Sequence, residues 1–183
     1  ADIENPPVKD ASIGLVWSNL ALQWCNDLDH TFSEMNRILR TDGLLMFSTF
    51  GPDTLKELRQ SFAQVDTFSH VNRFIDMHDI GDLLVRNGFS TPVMDMEYIT
   101  VTYPDVTSVM RDLKAIGAHN VMQGRRRGLM GKNAWQKAIG EYEKLRTDGK
   151  LPATFEVVYG HAWKPLRRSV LTPETRRQLG LMG

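Results

Sequence analysis

Two short apolar runs frame the first third of the chain: Ile13-Gly14-Leu15-Val16-Trp17-Ser18 and Leu44-Leu45-Met46-Phe47-Ser48-Thr49-Phe50. Each is strand-sized and nearly continuous in apolar residues, the pattern of a strand buried on both faces of a parallel sheet. Between them Leu28, Phe32, Met35 and Leu39 recur at helical spacing, with Arg37 and Arg40 in the last turn. Residues 28–39 therefore read as an amphipathic helix. Asp42-Gly43 closes it, with the glycine in the left-handed position after the helix. Strand, helix and strand form a βαβ unit whose crossover is right-handed. No other feature restricts the fold as much, and it sets the class as α/β.

The rest of the chain repeats the alternation. Gly51-Pro52-Asp53 breaks the second strand, and Asp53 or Thr54 is placed to cap a helix reaching Val65. Residues 66–74 read as a loop and 76–87 as a helix ended by Gly88. Residues 92–103 alternate as a strand, 106–116 form a helix closed by Gly117, and 120–131 are a Gly/Arg loop. A helix over 133–146 ends at Asp148-Gly149, and 153–163 is a β-rich last strand. The tail 164–183 carries four arginines, Pro165, Pro173 and a weak helical segment at 172–179.

Composition narrows the function classes. The 22 Lys and Arg residues balance 22 Asp and Glu, so the basic excess of a nucleic-acid-binding domain is absent. No apolar run approaches the ~18 residues of a membrane span. The residues Ala1-Asp2-Ile3-Glu4-Asn5 have neither the basic nor the apolar part of a signal peptide. The single Cys25 rules out an internal disulfide framework and suits a reducing, cytoplasmic setting. As a side chain it reads as a small buried thiol near a strand end rather than a nucleophile. The five histidines have no metal-ligand spacing, so no metal site is expected. Neither a glycine-rich phosphate loop nor a nucleophile elbow occurs.

What remains is polar residues where α/β sheets place their sites, beyond the carboxyl ends of the strands. Ser18-Asn19-Leu20-Ala21-Leu22-Gln23-Trp24 follows one strand and Ser48-Thr49-Phe50-Gly51-Pro52-Asp53 ends the other. Asn19 and Gln23 suit either a small-molecule ligand or the cap of the next helix. In His70-Val71-Asn72-Arg73-Phe74, Arg73 suits a carboxylate through its two parallel donors, or a salt bridge to Asp76 or Asp79. Arg125, Arg126, Arg127 and Lys132 form a basic patch, either a solvated loop or a contact for an acidic partner.

Taken in order, these motifs resemble the second half of a class I S-adenosylmethionine-dependent methyltransferase. The residues are Asp2-Ile3-Glu4, the stretch from Leu15 to Trp24, and the stretch from Asp42 to Phe50. More narrowly, the chain is similar to the malonyl-[acyl-carrier-protein] O-methyltransferases of biotin synthesis. Four stretches carry that resemblance: Gly51-Pro52-Asp53-Thr54-Leu55-Lys56-Glu57-Leu58, His70-Val71-Asn72-Arg73-Phe74, Met110-Arg111-Asp112-Leu113-Lys114-Ala115-Ile116-Gly117-Ala118, and Leu151-Pro152-Ala153-Thr154-Phe155-Glu156-Val157. It covers residues 1–163 as the C-terminal portion of a methyltransferase domain and leaves 164–183 as a basic, partly disordered tail.

The resemblance implies a Rossmann-like mixed sheet with helices on both faces. It also implies methyl transfer from S-adenosylmethionine to the free carboxylate of malonyl-acyl-carrier protein. Asp2 matches the acidic residue at the adenine amino group, Ile3 its apolar neighbour, and Ser18, Asn19 and Leu20 the segment at the methionine end. Arg73, with His70 and Asn72, is the expected holder of the malonyl carboxylate, and Arg111 and Asn120 rank second. Arg125, Arg126, Arg127 and Lys132 are expected to dock the acidic carrier protein. The family's glycine-rich first motif does not occur in these 183 residues, so it is expected ahead of Ala1, and no productive cofactor binding is expected without it. The strand at 13–18 would then be an exposed apolar edge, open to pairing with a second copy. Two other readings are a methyltransferase-like assembly factor acting on a protein partner and an inactive, interaction-only fragment.

Overall fold

A computed structural model describes residues 2–65, 74–115 and 131–166. Among the described residues four strands form one mixed sheet in the order β1-β2-β4-β3. These are β1 (Ile13–Asn19), β2 (Leu39–Phe50), β3 (Ser90–Tyr103) and β4 (Leu151–Trp163). β1 and β2 run parallel, while β4 is antiparallel to both β2 and β3. The described residues between them include the helices α1 (Leu28–Ile38), α2 (Lys56–Ala63), α3 (Met77–Arg86), α4 (Val106–Ala115) and α5 (Lys132–Glu143).

The βαβ unit is present as expected, but its joint differs. The chain passes straight from α1 into β2 at Leu39, which is extended. Asp42, not Gly43, takes the left-handed backbone (φ 57°). Gly43 is required for space: a Cβ there would lie 2.7 Å from the Arg40 carbonyl oxygen. α2 also starts differently. Neither Asp53 nor Thr54 caps it; its N-cap is Leu55, itself left-handed and without a side-chain cap bond. Thr54 is diverted to β4, where its hydroxyl bonds the backbone N–H and C=O of Glu156, both at 3.1 Å. α3 ends as its sequence implies, with Gly88 (φ 80°) after it; at its start the Asp76 carboxylate accepts from the His78 N–H at 2.8 Å. The expected loops at 66–74 and 120–131 lie mostly outside the described residues, and the tail from 167 on lies wholly outside them.

Two cores flank the sheet. Phe32 and Met35 of α1 and Ile80 and Leu84 of α3 pack on Leu45 and Phe47 of β2 and Ala162 of β4. Gly160 lies on that face because nothing larger fits: a Cβ would come within 2.2 Å of the Phe47 ring. The second core joins α2, α4 and α5 to Tyr103 of β3 and Leu151 and Ala153 of β4. Strand alternation puts Leu151 and Ala153 on the face opposite Ala162. Helices therefore cover both faces, but toward different ends of the sheet.

Between these cores part of one face is bare, and here the expectation of a doubly buried first strand fails. Trp17 pairs with Met46, Met46 with His161, and His161 with Val93. In that row Trp17 is 75% exposed and Val93 52%. Leu15 on the same face of β1 is 52% exposed. Val16 and Ser18 point the other way; Val16 packs against the α1/α3 core and Ser18 is buried. Continuous hydrophobicity in β1 thus records one covered face and one face without a partner among the described residues. Among the described residues β1 is also an edge strand, as expected.

Two stability predictions follow from these details. Gly160→Ala should lower stability by about 1–3 kcal/mol, from the overpacking against Phe47. Urea unfolding should show it as a reduced midpoint with unchanged slope. The His78 bonds hold the Asp76 carboxyl below its usual range, so its contribution is complete at neutral pH and fades as pH falls through the folded-state value. The midpoint gap between wild type and Asp76→Ala should be full at pH 7 and shrink below about pH 4.

Candidate functional site

The polar residues that the sequence places after β1 and β2 meet at the carboxyl ends of these strands. The register pairs Asn19 with Ser48. The Ser48 hydroxyl donates to Asn19 Oδ1 at 2.5 Å and accepts from the Leu20 N–H at 3.0 Å. Leu20 also bonds the Ser48 carbonyl at 3.0 Å and is left-handed at φ 47°. A non-glycine residue in that region is strained and is kept there by its surroundings. Gln23, in the 3-10 turn Leu22–Trp24, donates to the Leu20 carbonyl at 2.5 Å and accepts from the Thr49 hydroxyl at 3.4 Å. Gln23 does not cap the next helix; its amide braces the turn.

Ser18 is buried, and its hydroxyl has no hydrogen-bond partner among the described residues. Buried polar atoms are seldom left so, and a bound group is one way to satisfy them. Asn19 is exposed and lines an open groove of about 440 Å³ with Trp17, Met46, Ser48, Tyr159 and His161.

Asp2 and Ile3 lie beside the turn that follows this segment. Ile3 packs against the α1/α3 core that includes Leu22. Asp2 is exposed and accepts from the Glu4 N–H at 2.9 Å, and Glu4 in turn accepts from the Asp27 N–H at 3.0 Å. Cys25 is only partly buried rather than a core thiol; burial is the main cause that raises its pKa, so it is no ready thiolate.

The remaining candidates are not assembled with these. Arg111 is an exposed residue of α4, and Lys132 is the exposed first residue of α5. His70, Asn72, Arg73, Asn120, Arg125, Arg126 and Arg127 lie outside the described residues. Among the described residues, no group of three or more His, Cys, Asp or Glu side chains could hold a metal ion. No helix among them is long and apolar enough to cross a membrane.

A second polar cluster, absent from the sequence-based list, lies just past the end of β2. The buried Glu156 carboxylate accepts from the Asp53 N–H at 2.6 Å. Tyr98 donates from its hydroxyl to Asp53 Oδ2 at 3.3 Å, and Lys56 Nζ sits 5.0 Å from the centre of the Tyr98 ring. Partial burial, with the charges of Glu156 and Asp53, raises the pKa of Tyr98. The signal was present as two quoted motifs, but their contact spans about a hundred residues and no local pattern reports it.

Residues 1–47 match a family model described as a methyltransferase domain. The chain is similar to the malonyl-[acyl-carrier protein] O-methyltransferase of Nitrosospira multiformis, at 75% identity over 181 residues, 98% of this chain and 59% of that protein. It is similar to the same-named protein of Gallionella capsiferriformans at 67% identity, over 92% of this chain and 58% of that protein. The chain thus spans under two thirds of the length of these curated relatives. In three dimensions it is similar to a candidate methyltransferase of Bacillus halodurans, with a TM-score of 0.59 and 15% identity over 91% of this chain and 70% of that one. The YcgJ protein of Bacillus subtilis gives the same TM-score and coverages at 10% identity. At such identities the likeness bears on fold alone.

Ser48→Ala tests the local geometry. Asn19 would lose its partner while the Leu20 N–H keeps the Ser48 carbonyl. Stability should fall by about 1 kcal/mol, and amide exchange at Leu20 should quicken; an unchanged exchange rate would show that the hydroxyl does not hold this turn.

Proposed function

We propose, from a fold of the class I methyltransferase type and a sequence most like the malonyl-[acyl-carrier protein] O-methyltransferases, that the complete protein methylates the free carboxylate of a malonyl group on acyl carrier protein. The observation that carries this is the 75% identity across 98% of the chain. The methyl donor is S-adenosylmethionine, which supplies an electrophilic methyl on a sulfonium centre. In this reading the reaction belongs to biotin synthesis in the cytoplasm.

The residues present fit one edge of that donor. The buried Ser18 hydroxyl, the Asn19 amide and the strained Leu20 backbone stand at the end of β1, at the rim where α/β sheets bind ligands, and in this reading they receive the methionine part of the donor. Asp2 and Ile3, beside the adjoining turn, serve the adenine end. No Gly-x-Gly loop occurs in the 183 residues to approach the rest of the ligand, so these residues need a further segment of the domain to bind it.

For the acceptor, Arg73 holds the malonyl carboxylate with support from His70 and Asn72, and Arg111 and Asn120 are secondary contacts. Carboxylates are ionised near neutral pH, so the nucleophile needs no general base. The protein's task is to orient one oxygen in line with the methyl and to keep water out. Arg125, Arg126, Arg127 and Lys132 receive the acidic surface of the carrier protein. The free edge of β1 and the bare row around Trp17 are closed in the complete protein, either by a further segment or by a second copy.

The complete protein, given S-adenosylmethionine and malonyl-carrier protein, should yield a methyl ester detectable by mass spectrometry. Arg73→Ala should cost at least tenfold in kcat/KM for the carrier substrate, about 1.4 kcal/mol or more of transition-state stabilisation. Unaltered kinetics would remove Arg73 from the site, and the absence of any ester with the wild type would remove the reading itself.

A further inference from the structure

Glu156 is a glutamate in the middle of a strand, 5% exposed, with no cation among its hydrogen-bond partners in the described residues. Placing a carboxylate there is unfavourable unless the groups around it are organised to receive it. All three of its polar groups are engaged by the loop that follows β2. Its carbonyl accepts from the Gly51 N–H at 2.9 Å and from the Thr54 hydroxyl at 3.1 Å, and its own N–H donates to that hydroxyl at 3.1 Å. Its carboxylate accepts from the Asp53 N–H at 2.6 Å. The carboxylate lies so close over the loop that a Cβ on Gly51 would come within 2.3 Å of the carboxyl carbon. The backbone bonds alone would pair the loop to β4; the side chain adds one bond, and it fixes the part of the loop that turns away from the sheet.

That part carries Asp53. Its side chain is braced from outside by Lys56 Nζ at 3.3 Å and by the Tyr98 hydroxyl. The loop stands beyond the carboxyl end of β2, two residues after the Ser48–Thr49 pair that organises Asn19 and Gln23. Ligands of open α/β sheets sit at this rim. We propose that Glu156 is a positioning residue for methyl transfer: through the Asp53 N–H it sets the loop at 51–54 as the acceptor-side wall of the site. The proposal rests on the methyl-transfer reading above. It predicts that loosening the loop misplaces the acceptor and leaves the donor side alone, because Asn19 and Leu20 on the donor side are held by Ser48 and not by Glu156.

The test compares three variants of the complete protein. Glu156→Ala removes the acceptor of the Asp53 N–H. Glu156→Asp keeps the charge but is one methylene too short to reach it. Glu156→Gln keeps the reach and places its amide nitrogen where Oε1 lies, a position with no hydrogen-bond donor among the described residues. Steady-state methylation of malonyl-carrier protein and equilibrium binding of S-adenosylhomocysteine are measured for each. Misplacement of a reacting group on the ångström scale costs about 10–100-fold, so kcat should fall by that factor in the alanine and aspartate variants. The glutamine variant should stay within about threefold of wild type, and S-adenosylhomocysteine affinity should stay unchanged in all three. Wild-type kcat in Glu156→Asp would overturn the proposal, and so would parallel losses of kcat, ligand affinity and melting temperature that glutamine fails to rescue. Should Glu156→Ala not fold, the aspartate and glutamine pair decides alone. Loss of the methyl-transfer reading would look different, with no ester formed by the wild type.

Discussion

The grip of residues 51–57 on β4 decides where the second half of the structure goes. Gly51 and Leu55 donate backbone N–H groups to the carbonyls of Glu156 and Thr154, at 2.9 and 2.6 Å. Thr54, fully buried, spends its hydroxyl on both backbone groups of Glu156. Glu57 returns the contact, accepting from the Thr154 N–H at 3.1 Å and from the Thr154 hydroxyl. These bonds hold the start of α2 against β4, and α2 then packs with α4 and α5 over Leu151 and Ala153. Without them the chain after β2 would have no fixed direction, and Leu55 would have no reason to adopt its left-handed backbone.

The same grip joins two halves of the molecule that differ in how they could be read. The βαβ unit was legible because its information is local: apolar periodicity, an Arg-rich helix end and short connections put β1, α1 and β2 in place within a residue or so at most boundaries. The Gly88 stop of α3 was legible for the same reason. Three features were not. The left-handed Leu55 depends on a partner strand about a hundred residues away. Asp42 took the backbone conformation expected of Gly43 because the chain entered β2 without a turn, leaving the glycine to relieve a close approach to Arg40. The exposure of Leu15 and Trp17 was hidden because hydrophobicity states that a face wants cover, not that the cover lies among these residues.

The site divides along similar lines. Polar residues after a parallel strand were a sound pointer, and Asn19, Leu20, Gln23, Ser48 and Thr49 do form one network. Their roles were less predictable: Gln23 and Ser48 hold the turn, while the atom left unsatisfied is the Ser18 hydroxyl. Charge matching selected Arg73 and the arginines near 125 because those residue types suit carboxylates and acidic surfaces. It passed over Glu156, a carboxyl group like the proposed acceptor, although its bond to the Asp53 N–H orders the loop past β2.

The fold is of the class I methyltransferase type; in the proposed reading these residues supply one edge of the donor site, the acceptor-side loop and the basic groups suited to an acidic carrier, and a further segment of the domain completes the donor pocket. Titration calorimetry with S-adenosylhomocysteine tests this most directly, run in parallel on the 183-residue chain and on the complete protein. The account predicts saturable one-to-one binding by the complete protein and none by the 183 residues alone. Saturable binding of equal affinity by the 183 residues would contradict it, because the edge formed by Asp2, Ile3, Ser18, Asn19 and Leu20 would then be a whole site.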